Sequence, residues 1–203
     1  MFFGLRSYCF LICVLMVSSA RAGFILNIDL STVNQVTISA TTGVSLVSVS
    51  GSDGDGVLLK DFFAASLNNF NLSSNAGGSL VYFNSTSDGN PNIQKENSSD
   101  PGLNIFIMDN GTPNPASFTT GVQAFKGSAT WNLSPTQYAV FLQAPTSGDV
   151  YAFAYSQGSL GGAQVIGQYS VGSISAVPEP TSIAIFGLGG LGMVYLARRK
   201  RKV

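Results

Sequence analysis

The chain contains no histidine, and only 10% of its 203 residues are charged. Soluble domains average about 25% charged residues, so the side chains that perform acid, base and ion-pair chemistry are scarce. Without histidine, Ser-His-Asp and Cys-His catalysis and His-ligated zinc or iron sites are excluded. Carboxylates are the main catalytic groups left. We therefore predict a protein that is not an enzyme and that carries no cofactor.

The N-terminus has the pattern of a secretory signal peptide. Arg6 precedes ten consecutive apolar residues, 8–17, and the small residues Ala20 and Ala22 stand where a signal peptidase reads the chain. We predict that residues 1–22 are a leader cleaved after Ala22. The alternative is an uncleaved membrane anchor, but a span needs about 20 apolar residues and this run is shorter.

The two cysteines, Cys9 and Cys13, both lie inside this leader. The mature chain would then have no disulfide, no thiolate nucleophile and no thiolate metal site. Residues 23–177 hold nine acidic side chains against three lysines, whereas both ends of the chain are basic and apolar. A mildly acidic body between such ends is typical of an exported protein and argues against a nucleic-acid partner.

A second apolar run, 181–197, lies near the C-terminus. As a helix its 17 residues would be about 25 Å long, slightly short of a hydrocarbon core of about 30 Å but within the tolerated range. Five consecutive cations follow it: Arg198, Arg199, Lys200, Arg201 and Lys202. We predict a transmembrane helix whose basic tail stays in the cytoplasm, which places the body outside. The alternative, a buried soluble helix, would seldom be apolar all round.

Just before this run stands Val177-Pro178-Glu179-Pro180. The two prolines fix the backbone on both sides of Glu179 and remove two amide donors, so an extended, accessible segment is expected. With the Gly-rich hydrophobic run and the basic terminus, residues 177–202 resemble the PEP-CTERM sorting signal of Gram-negative surface proteins.

That resemblance implies recognition by an exosortase, a membrane-embedded processing enzyme, with cleavage at or near the tripeptide. Residues 177–180 would then be recognised by the enzyme and would catalyse nothing themselves. The resemblance also implies anchoring in the inner membrane, followed by a cell-surface or extracellular destination, among bacteria that make exopolysaccharide. The resemblance covers residues 177–202 of the predicted C-terminal segment 177–203, and it says nothing about residues 23–176.

The sequence of the body, residues 23–176, predicts an all-β domain. Short apolar or alternating runs are separated by clusters of Gly, Asn, Asp, Ser and Pro. The predicted strands are 33–39, 44–49, 80–83, 103–108, 121–125, 129–133, 138–142, 150–155 and 165–174. Many short strands joined by polar turns predict an antiparallel β-sandwich or jelly roll. Residues 58–72 could be helix or strand, with a short helix favoured, and 84–102 are the expected long mobile loop.

Two sets of acidic residues are candidates for chemistry. Asp53 and Asp55, in an Asp-Gly-Asp-Gly stretch, are a weak calcium candidate, although an ordinary hairpin turn explains them as well. Asp29, Asp61 and Glu96 are the acids outside turn clusters, and a glycosidase-like carboxylate pair would have to use them.

Four aromatic residues are candidates for glycan binding: Trp131, Tyr138, Tyr151 and Tyr155. The alternative is that they fill the core. Two hypotheses for the body follow: a structural protein of the cell surface or matrix, and a carbohydrate-binding or adhesive module for exopolysaccharide.

Overall fold

Runs of three to eight residues form the strands of the body. The computed structural model describes residues 23–63, 69–72, 77–85, 91–95, 102–108, 112–154 and 162–172. In chain order the strands are β1 (Phe24–Asp29), β2 (Gln35–Ala40), β3 (Val49–Ser52), β4 (Val57–Leu59), β5 (Phe70–Leu72), β6 (Gly77–Tyr82), β7 (Asn92–Lys95), β8 (Leu103–Phe106), β9 (Pro115–Phe118), β10 (Phe125–Asn132), β11 (Ser147–Ala152) and β12 (Val165–Val171). The described residues also include an α-helix, α1 (Pro135–Phe141), and a 3-10 turn (Asp53–Asp55).

Ten of the described strands form one sheet in the order β5-β7-β8-β4-β11-β12-β1-β2-β10-β6, and β3 and β9 form a separate ribbon. The all-β prediction is confirmed. The prediction of purely antiparallel sheets was wrong, because β1 and β12 pair in parallel, with Ile28 opposite Val171. The long intervening chain supplies the crossover that a parallel pair requires. The sandwich or jelly-roll arrangement stays a prediction.

The chain divides into two compact units, Met1–Ser173 and Ile174–Val203. All described residues belong to the first unit. The predicted boundaries after residues 22 and 176, and the signal peptide itself, lie outside the described residues and stay predictions.

The large sheet is strongly curled. Tyr82 on β6 and Phe153, directly after β11, belong to strands five positions apart, which is about 24 Å in a flat sheet. Their ring centroids are nevertheless 6.5 Å apart. Phe118 on β9 lies between them, 5.4 Å from Tyr82 and 5.6 Å from Phe153. The β3–β9 ribbon therefore packs into the concave side of the sheet.

A second group of aromatic rings fills the core beneath α1. Phe141 of α1 contacts Phe62, Phe63 and Phe70 at centroid distances of 5.5, 5.2 and 5.9 Å. Phe62 also lies 5.6 Å from Tyr169 on β12. Edge-to-face and tilted contacts of this kind add to the free energy gained by burial. Ring packing therefore fastens α1 to the sheet.

The helix α1 corrects one sequence prediction. Residues 138–142 were predicted as a strand, yet they lie in and just after α1. The Ser134 side chain accepts a hydrogen bond from the Gln137 amide, the Gln137 side chain accepts one from the Ser134 amide, and Pro135 stands in the first turn. A capping box with an N-terminal proline favours helix strongly, and here it overrides the apolar alternation.

Two other predictions were also wrong in part. Residues 58–72 favoured a helix, but they include the end of β4 and all of β5, while 64–68 lie outside the described residues. Residues 84–102 were expected to be a mobile loop, but β7 lies within them and buries Ile93 and Lys95. Polar neighbours in the sequence concealed both strands.

Glycines permit the close pairing of β6 with β10. Gly78 and Gly127 have φ values of +91° and +81°, a region that side chains with a Cβ rarely adopt. A Cβ on Gly127 would lie 1.9 Å from the Ser79 carbonyl oxygen. Glycine is therefore required at residue 127 for this register.

The C-terminal end of β12 is held by backbone hydrogen bonds on both sides. The Val171 amide donates to the Thr146 carbonyl and the Gly172 amide to the Ile28 carbonyl, both at 2.8 Å. The chain thus leaves the sheet beside the end of β1 and the start of β11.

The β1–β2 turn and α1 lie at this same end of the sheet. The Tyr138 hydroxyl donates to the Leu30 carbonyl at 2.6 Å, and the Leu133 amide donates to the Asn34 carbonyl at 2.8 Å. We call this region the exit end and define it as residues 28–34, 133–146 and 171–172.

Candidate functional site

In the sequence, the predicted sorting residues begin five positions after Gly172, the last residue of the exit end. Residues 177–180, the predicted span 181–197 and the cations 198–202 all lie outside the described residues. Within the part of the chain that the structure describes, no helix is long and apolar enough to cross a bilayer. Five residues, 173–177, separate Gly172 from Pro178, so the motif begins a short distance after a firmly paired strand.

The calcium candidate has a clear structural role. Asp53 is buried, and its Oδ1 accepts a hydrogen bond from the Asn114 amide at 2.6 Å while its own amide donates to the Asn114 carbonyl at 2.9 Å. The 3-10 turn is thereby tied to the residue before β9. In the described ranges, no cluster of three or more His, Cys, Asp or Glu residues could hold a metal ion. Calcium binding by Asp53 and Asp55 stays a prediction.

The hairpin interpretation of this stretch was wrong. The flanking strands do not pair with each other, since β3 pairs with β9 whereas β4 pairs with β8 and β11. The Ser52 side chain caps the 3-10 turn by accepting a hydrogen bond from the Gly54 amide at 3.1 Å. The turn therefore moves the chain from the ribbon to the large sheet.

The carboxylates of the hydrolase hypothesis do not converge where they are described. Asp29 Oδ1 accepts a hydrogen bond from the Ser31 amide at 2.8 Å. Asp61 is 68% exposed and lies 4.0 Å from Lys60. Asp29 ends β1, whereas Asp61 lies two residues after β4. The two strands are three positions apart in the sheet, about 14 Å by strand spacing, whereas glycosidase carboxyl groups are about 5–9.5 Å apart. Glu96 lies outside the described residues.

The four aromatic candidates separate into different environments. Trp131 is fully buried in the core, as the core-filling alternative predicts. Tyr138 is half-buried and bonded to the β1–β2 turn. Tyr151 is half-buried, with the Lys60 ammonium 5.9 Å from its ring centroid. Tyr155 lies outside the described residues.

One polar feature was missed by sequence reasoning. Asn71 of β5 is directly opposite Gln94 of β7, and Gln94 is opposite Asn104 of β8. Continuing across the sheet, Asn104 is opposite Leu58, which is opposite Tyr151. We call the polar residues of this line the amide row: the three amides Asn71, Gln94 and Asn104, together with Tyr151, which lies beyond Leu58. Asn71 and Asn104 each stand between two apolar residues in the sequence, and that alternation was the available signal, whereas Gln94 lies between Ile93 and Lys95.

Asn104 is the unusual member of the amide row. Its side chain is 1% exposed, and within the described structure neither Nδ2 nor Oδ1 has a hydrogen-bond partner. An unsatisfied buried polar group costs about 1–3 kcal/mol and usually reflects a bound water, ion or function. Asn71 is exposed and Gln94 is half-buried, so the row becomes more accessible toward β5.

The body also buries a neutral tyrosine near acids. Burial, together with the negative charges of Asp53 and Asp55, raises the pKa of the Tyr82 hydroxyl above its ordinary value. The hydroxyl therefore keeps its proton in the folded protein.

The sequence and the structure together define a class of protein: a curled β-sheet body followed directly by a C-terminal sorting segment. Residues 176–202 match the family model described as the PEP-CTERM protein-sorting motif, and the prediction of this signal is confirmed. The signal directs export and membrane-associated sorting through an exosortase-type processing enzyme. No curated protein and no solved structure matches the chain.

Proposed function

We propose that this protein is an exported component of the bacterial cell surface or extracellular matrix with a non-catalytic, structural body. Its leader, residues 1–22, is removed on export, and the segment 181–197 holds the chain in the inner membrane. An exosortase-type enzyme then cleaves near residues 177–180. The match of residues 176–202 to the sorting motif carries this proposal.

The chemistry of the segment supports this order of events. Two prolines deprive the peptide around Glu179 of amide donors, so it is poorly suited to join the sheet and remains open to a protease. The basic tail 198–202 is retained in the cytoplasm by the positive-inside rule, which leaves Glu179 outside. The body is consequently outside as well.

A structural role for the body is supported by what its side chains do. Phe141 packs against other aromatic rings in the core, and Trp131 is also fully buried. The described carboxylates Asp29 and Asp53 bind backbone amides. These two carboxylates stabilise turns, so few of the described acidic side chains are available for acid–base catalysis.

The experiment is co-production of the full chain with an exosortase-type enzyme in a bacterial host that otherwise lacks one. We expect a shortened product only when the enzyme is present, and no shortening of the Glu179→Ala variant. A matched control is Asp149→Ala, an acid of the body. Shortening without the enzyme, or equal shortening of Glu179→Ala, would refute recognition of the motif.

The amide row favours a second candidate, binding of exopolysaccharide. Side-chain amides and an amphipathic ring are the groups that recognise sugar hydroxyls and sugar faces. Asn71→Ala and Tyr151→Ala should each weaken retention of the protein on immobilised exopolysaccharide, whereas Asn132→Ala, an exposed amide on β10, should not. Equal retention of all three variants would remove this candidate.

A further inference from the structure

The two most exposed large apolar side chains of the described residues both belong to the exit end. Val33, in the β1–β2 turn, is 71% exposed, and Leu142, directly after α1, is 57% exposed. Isolated exposed apolar residues are ordinary. Here, however, two separate elements present them at the end of the sheet from which the chain departs, and hydrogen bonds from Tyr138 and Leu133 fix those elements in place.

The sequence around both side chains is uncharged. Residues 30–52 and 130–148 contain no Asp, Glu, Lys or Arg. The charged groups on this side of the sheet have polar partners: Asp29 binds the Ser31 amide, Asp149 accepts from Gln168, and Lys60 lies beside Asp61. A contact made here would thus depend on apolar insertion and not on a basic patch.

The number of residues between the sheet and the predicted span limits the distance between the exit end and a membrane. Eight residues, 173–180, separate Gly172 from the predicted span 181–197. Even fully extended they reach at most about 29 Å. A bilayer that holds the span therefore stays close to the exit end, and tethering gives that surface a high effective concentration. Weak apolar contacts are then sufficient for docking.

We propose that the exit end docks on the outer surface of the lipid bilayer, with Val33 and Leu142 inserted at the boundary between headgroups and acyl chains. This inference rests on the proposed function, because it requires the segment 181–197 to be in the membrane. Docking would present the body to a membrane-embedded processing enzyme in one orientation.

The opposite end of the sheet provides a matched control. Leu46 is also apolar and 38% exposed, but its amide donates to the Ile166 carbonyl at the start of β12. Because β12 runs from Ile166 toward the exit end, Leu46 would face away from a docked membrane. A probe at Leu46 should therefore report water where probes at Val33 and Leu142 report lipid.

The test uses the full chain with Cys9→Ser and Cys13→Ser, which leaves any introduced cysteine as the single thiol. Val33→Cys, Leu142→Cys and Leu46→Cys are labelled with an environment-sensitive fluorophore and reconstituted in phosphatidylethanolamine–phosphatidylglycerol vesicles. We expect blue-shifted emission and quenching by brominated lipid at positions 33 and 142, and neither effect at 46. Adding Leu142→Asp should reduce the blue shift at position 33.

Flotation of the vesicles separates the possible failures. Protein that floats with the vesicles but shows no lipid quenching at 33 and 142 overturns docking and leaves the membrane span intact. Protein that does not float overturns both the span and the docking. A blue shift that grows with protein concentration without lipid quenching means self-association of this face, and it too overturns the inference.

Discussion

The C-terminal segment is defined by residues that are consecutive in the sequence, whereas the body is defined by contacts between residues that are far apart in the sequence. The sorting motif occupies consecutive residues, 176–202. Its prolines, apolar run and cations follow one another directly along the chain. The body depends on contacts between distant residues, since β1 pairs with β12 and Phe24 lies opposite Gln168.

This difference explains why only the C-terminal segment indicates a function from sequence. A processing enzyme and a bilayer recognise residues that are adjacent in the chain, so such a segment can be identified from the sequence alone. The body has few charged groups, and two of those described, Asp29 and Asp53, bind backbone amides in turns. The two regions should therefore respond separately to mutation.

The largest effect should come from removing the signal. A chain that ends at Ala176 should lose membrane retention and processing completely, because the motif and the span are absent. The unfolding midpoint of its body should equal that of the full-length protein, because all twelve described strands lie between Phe24 and Val171 and are kept in the shortened chain. Membrane fractionation and urea unfolding measure the two outcomes. Continued sedimentation with membranes would contradict the predicted division of roles.

The next largest effect should come from the core. Phe141→Ala removes a fully buried ring that contacts three other aromatic rings, and truncations of this kind cost about 3–5 kcal/mol. The neighbouring Leu142→Ala, at an exposed position, should change the free energy of unfolding by less than about 0.5 kcal/mol. Urea unfolding measures both. Equal losses for the two variants would mean that α1 is not packed as described.

A smaller effect is expected at the β6–β10 pair. Gly127→Ala places a methyl group against the Ser79 carbonyl, and this overpacking should cost about 1–3 kcal/mol beyond the strain of a positive φ, which Gly121→Ala shares. Gly121→Ala is the control, because Gly121 also has a positive φ but no atom within 4 Å of its Cβ position. Thermal unfolding should show a clearly lower midpoint for Gly127→Ala. The same midpoint in both variants would exclude a specific clash in this pair.

The smallest effect concerns alkaline pH. Burial, followed by the charges of Asp61 and Asp149, raises the pKa of Tyr169 to about 12 from an ordinary value of 10. Above pH 10 the unfolded chain releases this proton while the folded chain keeps it. The contribution of Tyr169 to the free energy of unfolding is therefore fully present below pH 10 and is lost as pH rises toward 12. Tyr169→Phe should flatten that fall in urea unfolding, and an unchanged pH dependence would show that Tyr169 is not responsible.

The sequence predicted the class of the body well and its details unevenly. Strands with a clear apolar run, such as β8 and β12, were found because burial imposes their pattern. The helix α1 was missed although Ser134 and Gln137 form a capping box that sequence alone displays. β7 was missed because its burial of Ile93 and Lys95 depends on neighbouring strands.

The candidate sites differ in the same manner. The sorting motif was predictable because its residues are contiguous. The amide row was not, since Asn71, Gln94 and Asn104 become neighbours only through the register of three strands. The exit end likewise depends on tertiary contacts, because Val33 and Leu142 are separated by more than a hundred residues.

The central claim is that residues 176–202 are a removable sorting signal, and intact-mass analysis of the protein from its producing cell tests it most directly. We expect a chain that begins at Gly23 and ends near residues 177–180 unless Pro178, Glu179 and Pro180 are replaced. Recovery of the wild-type chain with Val203 still at its C-terminus, in a cell with an active exosortase, would show that residues 176–202 are not a removable signal.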